Sequence, residues 1–169
     1  MVTPDMILER LPAYQDKWEL IKKTQYVPDI VHEICTAHRL YAPLYDQFSY
    51  LFYSKNAADV ADKLYDFCRT YIRYKEETVD FQTSAVPQGI VERGYGDCKH
   101  YALINAGVIG SLNRLYNCCF EAYFYFVGYR KASEPYHVYV SIVNGDEEIW
   151  IDPTPGSGGI PTLIIPKSV

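Results

Sequence analysis

The chain's 169 residues, 49% hydrophobic and 22% charged, have the size and composition of one globular domain with one core. A net charge of −5 excludes the basic excess that tracks nucleic-acid phosphates, and no apolar run approaches the roughly 18 residues that cross a bilayer. Five cysteines, odd in number and irregularly spaced, point to reduced thiols rather than a disulfide framework. Residues 1–11 have neither an apolar h-region nor a small-residue cleavage site, so no signal peptide is expected. The expected setting is the cytoplasm, or a virion assembled in one.

The first half reads helical. Pro4-Asp5 opens a segment running to about Lys23, kinked or split at Pro12. Pro28 suits the first turn of a second helix, with Ile30, Ile34 and Ala37 on one side and an end before Pro43. Asn56 suits the cap of a third, whose apolar residues Val60, Leu64, Phe67, Cys68, Tyr71 and Ile72 keep helical steps. Glu76 to Gly96, with Pro87, Gly89 and Gly94, reads as a loop holding at most one helical turn. A central helix over Cys98 to Leu115 follows. Its Ala102, Ala106 and Gly107 allow close approach, and a helix-interior Gly costs about 1 kcal/mol against Ala, so a packing reason is expected.

After Asn117 the period changes to two. Phe120–Gly128, Tyr136–Val143 and Glu148–Asp152 read as strands, and the Pro/Gly-rich run from Pro153 to Gly159 ends the sheet. The expected class is α+β: an N-terminal helical lobe, a central helix bearing a cysteine at its N-terminus, and a small antiparallel sheet. The 17 tyrosines fit half-buried surfaces, either in an ordinary core or at an interface with an assembly partner.

Asn144-Gly145 is a strong hairpin signal between the last two strands. A two-residue turn there sets His137 opposite Asp152, Tyr139 opposite Trp150 and Ser141 opposite Glu148. Opposite Cβ atoms lie about 4.5–5.5 Å apart, close enough for a carboxylate to steer an imidazole. A four-residue turn, Asn144 to Glu147, leaves His137 and Asp152 on one face but diagonal. An odd-length loop breaks the face argument.

Gly96-Asp97-Cys98 stands just before the central helix, so Cys98 is placed where the macrodipole and free N–H groups favour a thiolate. Gly96 is expected to permit the turn and leave room for a substrate. A lone cysteine is usually a small buried hydrophobe. A helix-start Cys, a strand His and a facing Asp together make a nucleophile, a base and an orienter. His100 is two residues along the helix, rotated away from Cys98, and is expected at the surface or behind the site. His32 and His38 lack a Cys–Asp context. Adjacent Cys118-Cys119 do not have zinc-ligand spacing, so neither a metal nor another cofactor is expected.

At these residues the chain resembles the transglutaminase-like superfamily of papain-like thiol enzymes, in particular small bacterial and phage-borne members. Three blocks carry the resemblance in the family's order: Arg93-Gly94-Tyr95-Gly96-Asp97-Cys98-Lys99-His100-Tyr101-Ala102, His137-Val138-Tyr139-Val140 and Trp150-Ile151-Asp152-Pro153-Thr154. The segment Ile72-Arg73-Tyr74, then Gln82 and Pro87, is similar to the approach to the first block. Residues of about 60–155 would form the core of one domain spanning 1–169, with 1–55 as a helical extension. Many relatives carry an acidic residue where this chain has His100.

The resemblance implies acyl transfer at an amide, with Cys98, His137 and Asp152 as the triad and a protein or peptide as substrate. It implies an oxyanion donor from the Cys98 N–H with Gln82, or alternatively Gln88, and a groove wall at Trp150. A cysteine peptidase or amidase, a protein-glutamine transglutaminase, and a catalytically silent assembly module, for example of a phage particle, all stay open.

Overall fold

The structure, a computed structural model, describes residues 1–13, 19–21, 27–78, 82–128, 137–156 and 164–168. Proline in a first helical turn costs no hydrogen bond, and α1 (Pro4–Leu8) begins that way. It ends at once. Instead of a helix running to Lys23, Glu19–Ile21 forms strand β1, whose hydrogen bonds come from a distant segment. That non-local pairing overrides the local helical pattern. Residues 14–18 and 22–26 lie outside the described set.

Helix α2 (Val27–Leu40) contains Pro28 in its first turn and buries Ile34 and Ala37. The short α3 (Ala42–Tyr45) and a 3₁₀ turn (Ser49–Phe52) follow, and Tyr45, Phe48 and Phe52 are fully buried. Asn56 caps α4 (Ala57–Tyr71): its Oδ1 accepts the Ala58 N–H at 2.8 Å. Val60, Leu64, Phe67 and Cys68 form the buried stripe that the spacing requires.

The segment expected to be mostly loop is more ordered. It contains β2 (Arg73–Tyr74) at its border, β3 (Gln82–Ser84), the seven-residue α5 (Pro87–Arg93) and β4 (Tyr95–Gly96). Strand β3 pairs antiparallel with β1, and β4 pairs parallel with β2. These two-stranded ladders hold the chain on its way into α6 (Cys98–Tyr116), which Asn117 ends in the left-handed conformation, φ 51°.

Helix α6 is buried on nearly every side from Lys99 to Ile109. It packs against α2, α3 and two strands of the main sheet, β5 (Glu121–Val127) and β6 (His137–Asn144). Its small residues have the expected packing reason. A Cβ on Gly107 would fall 2.4 Å from Cζ of the buried Tyr45 ring, so glycine is what lets that ring reach the helix axis.

The sheet runs β7-β6-β5-β8, with β7 at Glu147–Ile151 and β8 at Ile164–Ser168. The tail after Pro153 therefore does not end the sheet; β8 adds a strand on β5. Alternation divides two faces. Ala122, Phe124, Phe126, Val138, Val140, Ile142 and Ile151 enter the core, and His137, Tyr139, Ser141 and Trp150 lie on the other face.

The hairpin differs from the expected register by two residues. Asn144 pairs with Glu147, Ser141 with Trp150 and Val140 with Ile151. The turn residues are Gly145 and Asp146, and only Gly145 has positive φ, at 64°. A II′-type turn needs positive φ only at its first central position, so the glycine takes that place. An even shift preserves the face, and His137 and Asp152 are diagonal rather than opposite.

Candidate active site

Two backbone bonds hold the strand that delivers the cysteine: Arg73 N–H to Gly94 O and Lys75 N–H to Gly96 O, each 2.8 Å. Gly94, at φ 61°, ends α5 and turns the chain into β4. Asp97 is then the N-cap of α6, and its carbonyl accepts the N–H groups of His100 and Tyr101, each at 3.1 Å. The N–H groups of Cys98 and Lys99 precede the first intrahelical bonds and have no helical acceptor. Cys98 is half-buried and forms no disulfide.

Gly96 borders a cavity with Lys75, Glu77, Arg93 and His100, but the space a side chain on it would take is filled. A Cβ there would lie 2.7 Å from His100 Cβ, so the room it leaves is occupied by His100. His100 is buried rather than at the surface, its Nδ1 lying 2.9 Å from Asp97 Oδ1 and 3.2 Å from the Asp97 backbone nitrogen. The Lys99 ammonium is also buried. It bonds the other Asp97 oxygen and reaches Glu77 Oε2 at 2.8 Å. Glu77 in turn accepts the Thr83 N–H at 2.6 Å and bonds the Thr83 hydroxyl. Burial alone would raise Asp97, yet His100 and Lys99 hold its carboxyl far below the usual carboxylate range. This ionic cluster ties the turn before Cys98 to Glu77 and, through it, to Thr83.

His137 is the first residue of β6, and Asp152 directly follows β7. Their diagonal offset is closed by the side chains, with His137 Nε2 2.8 Å from Asp152 Oδ2. The carboxylate can only accept, so Nε2 carries the proton and Nδ1 is left for Cys98. Asp152 Oδ1 also accepts the Thr154 N–H at 3.2 Å, which sets the carboxylate's rotation. Burial pulls the His137 imidazolium down, but hydrogen bonds to Asp152 and to Cys98 outweigh it and push His137 up to about 9. Asp152 is driven up by burial and more strongly down by His137, for a net lowering.

The three residues singled out by the sequence therefore meet: sulfur at a helix start, imidazole beside it, carboxylate behind the imidazole. The secondary candidates fare differently. Gln82 donates Nε2 to Thr78 O at 2.9 Å and to Glu77 O at 3.4 Å, which commits the donors an oxyanion would need. Gln88 is buried on α5, and its Oε1 has no hydrogen-bond partner among the described residues. Trp150 is 52% exposed, not a core residue, and its ring stands 5.5 Å from that of Tyr139.

His38 is buried edge-on against Phe124 at 5.6 Å, and burial pushes its imidazole down to about 4. Among the described residues, no group of three or more His, Cys, Asp and Glu side chains is placed to hold a metal. Nor is any helix among them long and apolar enough to cross a membrane.

Two site neighbours were given no role by the sequence reading. Tyr139, which alternation puts on the face of His137, lies 6.0 Å from the His137 ring and stacks on Tyr125 at 5.2 Å. Tyr74 is raised chiefly by burial and next by Cys98, and it reaches the site through the β2–β4 ladder, which leaves no local signal. Compared with family models, curated proteins and solved structures, the chain matches none.

Proposed function

We propose that the chain is a thiol acyl-transfer enzyme of the transglutaminase-like, papain-like kind, cleaving amide bonds in a polypeptide with Cys98, His137 and Asp152. One observation carries the reading: His137 is hydrogen-bonded on one nitrogen to Asp152 and held beside the Cys98 sulfur by the other, at the start of a long helix. This is the arrangement that stabilises a thiolate–imidazolium pair.

In the proposed reaction the Cys98 thiolate attacks the amide carbonyl. The oxyanion takes bonds from the Cys98 and Lys99 N–H groups. The His137 imidazolium gives its Nδ1 proton to the departing amine, the C–N bond breaks, and a thioester remains. Water then adds to the thioester as His137 takes its proton. Collapse releases the carboxylic acid and returns the thiolate and imidazolium. Asp152 keeps its charge throughout and holds the tautomer.

Alkylation of Cys98 by a neutral reagent, followed against pH and mapped by peptide mass, tests this. Labelling is expected to continue below about pH 6, where an isolated thiol near pKa ~8.5 is protonated. Labelling that follows an ordinary thiol titration, with Cys98→Ala leaving amide cleavage intact, would overturn it.

A further inference from the structure

Backbone N–H groups at a helix start can hold an oxyanion, and a side-chain donor beside them adds to the hold. Gln82 is not that donor, because its Nε2 is committed to Thr78 O and Glu77 O. A group suited to the task stands close to the sulfur, is partly open, keeps its proton and has no other bond to make.

Tyr74 meets these conditions through the ladder that delivers the cysteine. Parallel pairing sets Tyr74 beside Gly96, two residues before Cys98. Its ring stands 6.0 Å from that of Tyr101, which lies one turn along α6 on the same side as Cys98. The next residue, Lys75, goes to the ladder's other face, where its ammonium sits 4.6 Å from the centre of the Tyr95 ring. Tyr74 is half-buried, as Cys98 is. The Tyr101 hydroxyl is spent on Ile72 O at 2.7 Å, whereas the Tyr74 hydroxyl makes no hydrogen bond to any described residue, the sulfur included. Burial, and next the charge of Cys98, push Tyr74 up, so the hydroxyl keeps its proton beside a thiolate.

We infer that Tyr74 is an oxyanion donor of the thiol site proposed above, on which the inference rests. As the Cys98 thiolate forms its C–S bond, the carbonyl π pair moves onto oxygen. The Tyr74 O–H donates a hydrogen bond to that oxygen and keeps its proton throughout. Collapse returns the pair to the carbonyl and expels the leaving group. The free thiolate takes no bond from the hydroxyl, so Tyr74 stabilises the tetrahedral intermediate and not the resting site. An interaction made only there raises the rate of the chemical step.

Two reagents that meet the same sulfur separate these effects on the full chain. 4-Nitrophenyl acetate acylates a thiolate through a tetrahedral oxyanion and releases 4-nitrophenolate. Iodoacetamide alkylates it by displacing iodide, and no oxyanion forms. Both rates are followed at Cys98 by peptide mass. Tyr74→Phe keeps the ring and removes only the hydroxyl. Its acylation rate is expected to fall by about tenfold or more, while the iodoacetamide rate and its pH profile stay within about twofold of native. Tyr95→Phe, on the ladder's other face, should change neither rate. An unchanged acylation rate in Tyr74→Phe would overturn this inference and leave the thiol reading standing. A fall shared equally by both reagents would do the same, since it marks an effect on the sulfur or the fold. Iodoacetamide labelling of native Cys98 along an ordinary thiol titration would overturn both.

Discussion

Replacing Asp152 separates the charge it supplies from the hydrogen bond it makes. In the native protein, burial lowers His137, and the bonds to Asp152 and Cys98 raise it past its ordinary value to about 9. A hydrogen bond to a charged partner contributes about 1.5–3 kcal/mol, and one pKa unit corresponds to 1.36 kcal/mol, so Asp152 accounts for roughly one to two units. Asp152→Asn keeps an oxygen that accepts from Nε2 but removes the charge, and His137 should fall by about one unit. Asp152→Ala removes both and should lower it by about two, since burial is then opposed by the sulfur alone. Imidazole titration by NMR reads the values directly. The alkylation profile of Cys98 should move the opposite way, to higher pH with less labelling near pH 6, because a weaker imidazolium stabilises the thiolate less and the pair titrates as a unit. A His137 titration unchanged in Asp152→Ala would refute the reasoning, since the 2.8 Å contact would then be geometrically present and energetically idle.

Gly107→Ala places a Cβ 2.4 Å from the Tyr45 ring, which is buried and cannot swing into solvent; urea unfolding should show a loss of about 1–3 kcal/mol or more, as overpacked cores do. Lys99→Met removes the cation shared by the buried Asp97, which keeps only His100, and the partly buried Glu77, which keeps only Thr83, and the expected loss is about 3–5 kcal/mol. A loss under about 1 kcal/mol would show that water enters this cluster. The folded His137 is raised above its unfolded value near ~6.5, so its stabilisation is complete below that pH and is lost as pH rises through about 9. Thermal unfolding should report that decline between pH 6.5 and 9, and His137→Gln should flatten it.

Local chemistry alone marked much of this molecule. Asn56 before an apolar stripe specifies the start of α4, because capping acts within three residues; the Asp97 cap of α6 emerged only with the structure. Alternation specified that His137, Tyr139, Trp150 and Asp152 share a face, and this survived a register shift because the shift was even. What only the tertiary structure decided was which distant groups fill each space. The Glu19–Ile21 strand exists because Gln82–Ser84 supplies its ladder. Gly96 is small because His100 occupies the room beside it, and Lys99 is buried because Glu77 arrives across the turn. The two-residue shift followed from whether the turn began at Asn144 or at Gly145, and both residues permit it. Periodicity and capping depend on near neighbours along the chain, so they are written in short stretches of sequence. Packing and ion pairing depend on partners brought together only when the whole chain closes on its core.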